Sequence, residues 1–288
     1  VPAVDFHQHL WPEALIRAFE GRSAPPRLRG RRLELTAEPA GEVDLDAHLP
    51  ERRLALLDRD GIDLAVISPA PTLELEAHPE LGDAYHEGIQ EVAAASGGRL
   101  VPLALGACLP GFAGACVSAG RLLSGLDSLL AELHAAGQLL FVHPGPPSPA
   151  LPAPQPAPAW WPAVVDYTAQ MQAAYAAWLA RDAQRFPELP AVFAMLAGGG
   201  PIQLERLRSR GVETRTALHP NVYFDTSSYG RRAMELVLST FGVTQLVYGS
   251  DVPVVDSRPT MEAVLGFGEA VAELVVRGTP GRLLGVLS

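Results

Sequence analysis

AVDFHQH (residues 3–9) reads as a short apolar strand, AVDF, that runs out into two histidines two positions apart. Side chains alternate faces along extended chain, so His7 and His9 project to the same side and make a two-toothed ligand for a metal ion. The competing reading is a pair of surface or supporting histidines, and the spacing alone does not separate the two. The decision comes from what lies further along the chain.

Seven more apolar or β-branched runs follow: LAVIS (64–68), LVPLAL (100–105), GACVS (114–118), QLLFV (138–142), AVFAML (191–196), NVYFD (221–225) and QLVYG (245–249). Between them lie segments of helical period, over roughly 51–60, 81–95, 123–136, 164–185, 202–210, 231–240 and 261–277. Strand and helix in alternation imply parallel strands joined by crossover helices. Eight strands suit a closed (β/α)8 TIM barrel, and 288 residues are enough for one such domain over 1–288. An open doubly wound sheet is the alternative topology. The helix count is one short, because only a few residues separate the third strand from the fourth. Residues 21–49, with five arginines and the segment RRLELTAEP, suit a small insertion after the first strand that carries a hairpin and covers one end of the barrel. Residues 144–162 hold nine prolines and the Trp160–Trp161 pair, the composition of stiff, extended chain, and are assigned to a rigid loop over the pocket.

In such a barrel the carboxyl ends of all strands meet on one rim. His143 ends the fifth run in QLLFVHPG, and Asp251 follows the eighth in QLVYGSD, so both join His7 and His9 there. Three imidazoles and a carboxylate suit zinc, and accept manganese, iron or cobalt. Taken singly, His143 reads as a capping or packing histidine and Asp251 as an N-cap; their joint placement favours one divalent metal ion.

Composition narrows the chemistry. The formal net charge is −10, which disfavours nucleic acid and anionic membrane as partners and leaves a small-molecule substrate, with a homodimer as the candidate assembly. All 22 basic residues are arginine. Without lysine there is no Schiff-base lysine, no P-loop lysine and no carbamylated lysine bridging two metals. Two cysteines without CxxC spacing, no apolar run of membrane-spanning length and a histidine-bearing start point to a cytoplasmic protein. The turn AGGGP lacks both the P-loop Lys and the GxGxxG spacing, and YGSD is not a GxSxG elbow.

VDFHQHLWP, ERRLALLDRDGIDLAVISP, FVHPG, HPNVYFDTSSYG and LVYGSDVPV, in this order, resemble the successive signature segments of the amidohydrolase-2 family, metal-dependent hydrolases related to aminocarboxymuconate-semialdehyde decarboxylase. The resemblance runs from about residue 3 to the end, closing on TPGRLLGVL. It implies a barrel with metal ligands at His7, His9, His143 and Asp251. It also implies cleavage of a C–N or C–O bond, or removal of a carboxylate from an aromatic or unsaturated acid, by a metal-activated water or hydroxide. Such ions bring the pKa of bound water from 15.7 toward ~7.

One departure stands out. The family places an acid–base histidine in its sixth strand, before a Gly-rich turn; here PAVFAMLAGGGP puts Met195 at that position. A thioether moves no proton, which leaves Asp251 as the candidate catalytic base. His48, His78, His86, His134 and His219 make weaker substitutes, read as surface, packing or stability-face residues. Trp11 and Trp160 are expected to wall an aromatic substrate, and Ser68 and Ser227 to donate hydrogen bonds at the rim, with loop packing and helix capping as the plainer readings. Arg52 and Arg53 are candidates for binding a carboxylate or, more plainly, solvated side chains. The expected function is a metal-dependent hydrolase of a small aromatic or carboxylated molecule. The alternatives are a non-oxidative decarboxylase, or a catalytically silent small-molecule-binding barrel because of Met195.

Overall fold

The computed structural model describes residues 1–147, 153–214 and 221–286. Eight parallel strands carry the fold: Val4–Gln8, Leu64–Ile67, Leu100–Pro102 continuing as Ala104–Leu105, Gly114–Ser118, Leu139–His143, Ala191–Phe193, Val222–Asp225 and Leu246–Val247. They pair in sequence order, for instance Ala65 with Leu100, Ala115 with Leu140 and Phe224 with Leu246.

Two junctions close the circle. The third strand bends at Leu103, whose N–H donates to Ile67 O at 2.9 Å on one side, while Gly106 N donates to Cys116 O at 2.8 Å on the other. The eighth strand returns to the first through Phe6 N to Tyr248 O at 2.7 Å and Asp251 N to His7 O at 2.8 Å, with a parallel bridge between Gln8 and Val252. The open-sheet alternative is therefore set aside. The strands are buried on both faces because their inward side chains fill the barrel and their outward ones lie under the helices, which explains runs that are apolar without alternation.

The helices follow the sequence reading with instructive breaks. The segment expected as one helix over 123–136 is two, Ala119–Ser124 and Asp127–Ala136, because Gly125 takes φ 95° between them. Gly268, at φ 95°, similarly separates Ser257–Leu265 from Glu269–Glu273. No helix joins the third and fourth strands; residues 106–113 make a tight connection. The insertion after the first strand is a helix, Glu13–Gly21, and an antiparallel ribbon of Arg27–Arg29, Arg32–Glu34 and Gly41–Glu42. Leu33 and Leu35 from it wall the cavity at the barrel mouth, as the sequence reading expected.

Among the described residues, no helix is long and apolar enough to cross a membrane.

Candidate metal centre

The first strand places His7 and His9 over the barrel axis, and the fifth adds His143 across from them. Their rings meet edge to face with centroids 4.9–5.1 Å apart, and one ligand nitrogen from each lies within 4.8 Å of the others. All three are almost fully buried.

The tautomers follow from the partners. His7 Nδ1 lies 2.7 Å from Asp225 Oδ2, His9 Nδ1 lies 3.0 Å from Ser68 O, and His143 Nδ1 lies 2.8 Å from Pro144 O. Acceptors at every Nδ1 put the proton there and leave each Nε2 as a lone pair directed at a common point. His7 Nε2 and His9 Nε2 face each other at 3.2 Å, an arrangement that repels unless a cation or a proton sits with them. The donor set thus fits a divalent ion. Asp251 Oδ1 stands 3.3 Å from His9 Nε2 and 3.8 Å from His7 Nε2, and Ser228 Oγ donates to its other oxygen at 3.2 Å.

Electrostatics follow the burial. Burial opposes a charge on His7, but the Asp225 carboxylate outweighs it and lifts the imidazole to about 9. Burial, with His9 and His7 beside it, drives His143 well below the ordinary histidine value. For Asp251 burial works upward, yet the neighbouring His9 and His7 imidazoles outweigh it and hold the carboxyl below its usual range.

The histidines form the floor of a cavity of about 470 Å³. Trp11, Leu33, Leu73 and Val254 give it apolar walls, and Glu38, Tyr167 and Asp251 give it polar ones. No arginine is among its described lining residues.

Several sequence expectations need correction. Ser68 and Ser227 are fully buried and off the cavity wall: Ser68 supports His9, while Ser227 Oγ donates to Asp225 Oδ1. Both hydroxyls lie within the hydrogen-bond network that orients His9 and His7. Trp160 is 55% exposed, packs on Trp161 and is not among the cavity's described lining residues. Arg53 is buried, donates to Gln8 Oε1, His9 O and Ala47 O, and is not among the cavity's described lining residues; Arg52 is exposed. Trp11 and Met195 do line the cavity. Met195 opens a left-handed run with Leu196, Ala197 and Gly198, at φ 54°, 49°, 53° and 60°, and its N–H donates to Asp225 Oδ1 at 3.2 Å. His219 lies outside the described residues.

Three contributors stand outside the expected site residues, among them His48, which the sequence reads as a surface or packing residue. Asp225 ends the seventh strand, and its place at a strand's carboxyl end was a readable signal. Tyr167 donates to Glu38 and so ties the inserted ribbon across the cavity, and His48 lines the wall. Neither of these two has a sequence signature.

A family model described as Amidohydrolase matches residues 4–286. The fold is shared with the apo form of IDCase from Metarhizium anisopliae, at 20% identity and TM-score 0.82, over 99% of this chain and 97% of that one. It is shared with 5-carboxyvanillate decarboxylase LigW from Sphingomonas paucimobilis, at 15% identity and TM-score 0.76, over 99% of each chain. A dihydroxybenzoic acid decarboxylase from Polaromonas, solved with bound manganese and the inhibitor 2-nitroresorcinol, matches at 15% identity and TM-score 0.68, over 99% of this chain and 97% of that one. At these identities the likeness speaks for the fold. No curated protein matches the sequence.

Proposed function

The chain belongs to the amidohydrolase-2 family, and from that membership we propose that it is a metal-dependent, non-oxidative decarboxylase of a small aromatic or unsaturated acid. The observation that carries the reading is the cavity's charge layout. Its described lining has no arginine, so the histidine floor is the one place that suits a carboxylate, while Leu33, Leu35, Leu73 and Val254 suit a ring. A substrate acid would therefore seat its carboxylate against the centre and its ring between the apolar walls.

A divalent ion held by His7, His9 and His143, with Asp251 beside them, would supply an electrophile that draws charge from the seated acid. Zinc suits the donor set, and manganese is bound in the Polaromonas neighbour described above. The remaining chemistry falls to the protein. Loss of CO2 breaks the bond between ring carbon and carboxylate and leaves the electron pair on carbon, which then takes a proton. Asp251, ionised at rest, is the carboxylate that lines the cavity next to the histidines; it relays a proton from water to that carbon. Asp225 keeps the His7 ring in the ligating tautomer, and Trp11 and the inserted ribbon limit water in the cavity.

The earlier expectation of hydrolysis uses the same floor, and its support is thinner: the solved neighbours described above include two named decarboxylases. A second reading, a barrel that binds without turnover, is favoured by Met195, which lines the cavity where a proton-carrying side chain would serve.

The test loads metal-free protein with manganese or zinc and follows CO2 release from a panel of hydroxybenzoates beside hydrolysis of esters, lactones and amides. CO2 release that His7→Ala and His9→Ala abolish is the expected outcome. Hydrolysis without CO2 release would overturn the reading, and a metal-loaded but inert protein would favour the binding barrel.

A further inference from the structure

His48 sits in the inserted segment, 5% exposed, and lines the cavity. Its ring stacks on Trp11 with centroids 4.5 Å apart and planes 14° from parallel. The backbone N–H of Trp11 donates to His48 Nδ1 at 3.1 Å. An accepting Nδ1 carries no proton, so a neutral His48 bears its hydrogen on Nε2. Among the described residues no hydrogen bond involves that Nε2, although the ring is otherwise held on a face and on one nitrogen. Nor is Nε2 one of the sealed polar atoms that lack a partner, so it keeps contact with open space, and the open space this buried residue borders is the cavity.

The surroundings keep the ring uncharged. Burial, reinforced by the Arg53 guanidinium and by His9, pushes its pKa down to about 3. Arg53 in turn donates to Ala47 O, the carbonyl preceding His48, and to His9 O, so one buried cation ties the backbone beside His48 to the metal-binding strand. The pieces amount to a donor held in place before any ligand arrives, which lowers the ordering cost of binding.

We propose that His48 is a substrate-binding group whose Nε2–H donates to an uncharged acceptor, such as a phenolic or carbonyl oxygen, on the ring of an acid seated at the histidine floor. The proposal rests on the reading that the cavity takes an acid. It adds a substrate class: a monocarboxylic acid carrying a second, neutral oxygen. Glu38, Glu42 and Asp44 also line the cavity, and with no arginine among the described lining a second carboxylate would meet repulsion there. A neutral donor is suited to a phenol or ketone and poorly suited to another anion.

The experiment compares wild type, His48→Phe and His48→Gln, each loaded with manganese and matched in metal content. Calorimetry measures binding of benzoate, 2-hydroxybenzoate, 3-hydroxybenzoate, 4-hydroxybenzoate and benzene-1,3-dicarboxylate. His48→Phe keeps the stacked ring and loses the donor; His48→Gln keeps an uncharged donor and loses the stack. Wild type is expected to prefer at least one hydroxybenzoate over benzoate and over the dicarboxylate by about tenfold, as one good hydrogen bond contributes. His48→Phe should erase that preference while binding benzoate as wild type does, and His48→Gln should restore part of it. A separate ring 15N spectrum should show His48 protonated on Nε2, with the signal moving when the preferred acid is added. The proposal is overturned if His48→Phe keeps the preference, if wild type shows none across the panel, or if Nδ1 carries the proton. Because the readout is binding, a preference without CO2 release would sink the decarboxylase reading and leave this one standing.

Discussion

Asp225 Oδ2 accepts from His7 Nδ1 at 2.7 Å across the barrel mouth, and the same carboxylate takes the N–H of Met195, Ser227 and the Ser227 hydroxyl on its other oxygen. One buried acid thus joins the metal-binding strand to the sixth and seventh strands. It sets the His7 tautomer and organises the left-handed turn that Met195 opens.

Replacing Asp225 by Asn should therefore weaken metal binding without unfolding the barrel. An amide can still accept from Nδ1, but it does not raise the basicity of Nε2. Loss of such a partner costs about 10–100-fold in metal affinity. A competitive chelator titration reads this; unchanged affinity would show that Asp225 is only structural.

Metal uptake should depend on pH through His7. The folded, metal-free imidazole is held at about 9 against an ordinary 6.5, the reverse of what burial alone would do, because Asp225 favours its charge. The sign is that of a raised folded pKa: the stabilisation is full below 6.5 and fades as pH climbs through about 9. A metal must displace that proton, so affinity should rise about tenfold per pH unit up to the folded value and then level off. Titration with release of one proton per metal near pH 7 checks it. Asp225→Asn should flatten the slope.

Gly249→Ala should damage the centre from behind. A Cβ there would stand 2.8 Å from His7 Cβ and 3.1 Å from Asp225 Cγ, two groups already locked to each other. Neither can retreat without lengthening their hydrogen bond. The expected result is a folded protein with metal affinity reduced about tenfold or more, on the scale of losing an outer partner. Circular dichroism with metal analysis separates this from general unfolding, and full metal content at wild-type affinity would contradict it.

Tyr167→Phe should loosen the inserted ribbon. The Tyr167 hydroxyl donates to Glu38, whose carboxyl is pushed up by burial and by Glu74 and Asp166 nearby. Removing the donor leaves a half-buried carboxylate unpartnered, at a cost of about 1–3 kcal/mol. Proteolysis within residues 21–49 should accelerate, and KM should rise several-fold with kcat nearly constant. An unchanged cleavage rate would mean that the backbone bonds from Thr36 and Ala37 to Glu74 hold the ribbon by themselves.

The chain alone determined the barrel and the three imidazoles. Parallel strands bring their carboxyl ends to one rim, so a histidine or acid at a strand end is placed by local sequence. Eight apolar runs locate those ends to within three residues. What only the tertiary structure decided is what stands beside them: that Ser68 and Ser227 turn inward to hold ligands, that Arg53 is consumed by Gln8 and two carbonyls, and that His48 comes to rest on Trp11. The pairings of His48 with Trp11, Arg53 with Gln8, Ser68 with His9 and Ser227 with His7 span 37 to 220 positions in the chain. They depend on strand register and on how an irregular insertion folds back, and neither is encoded in residue spacing.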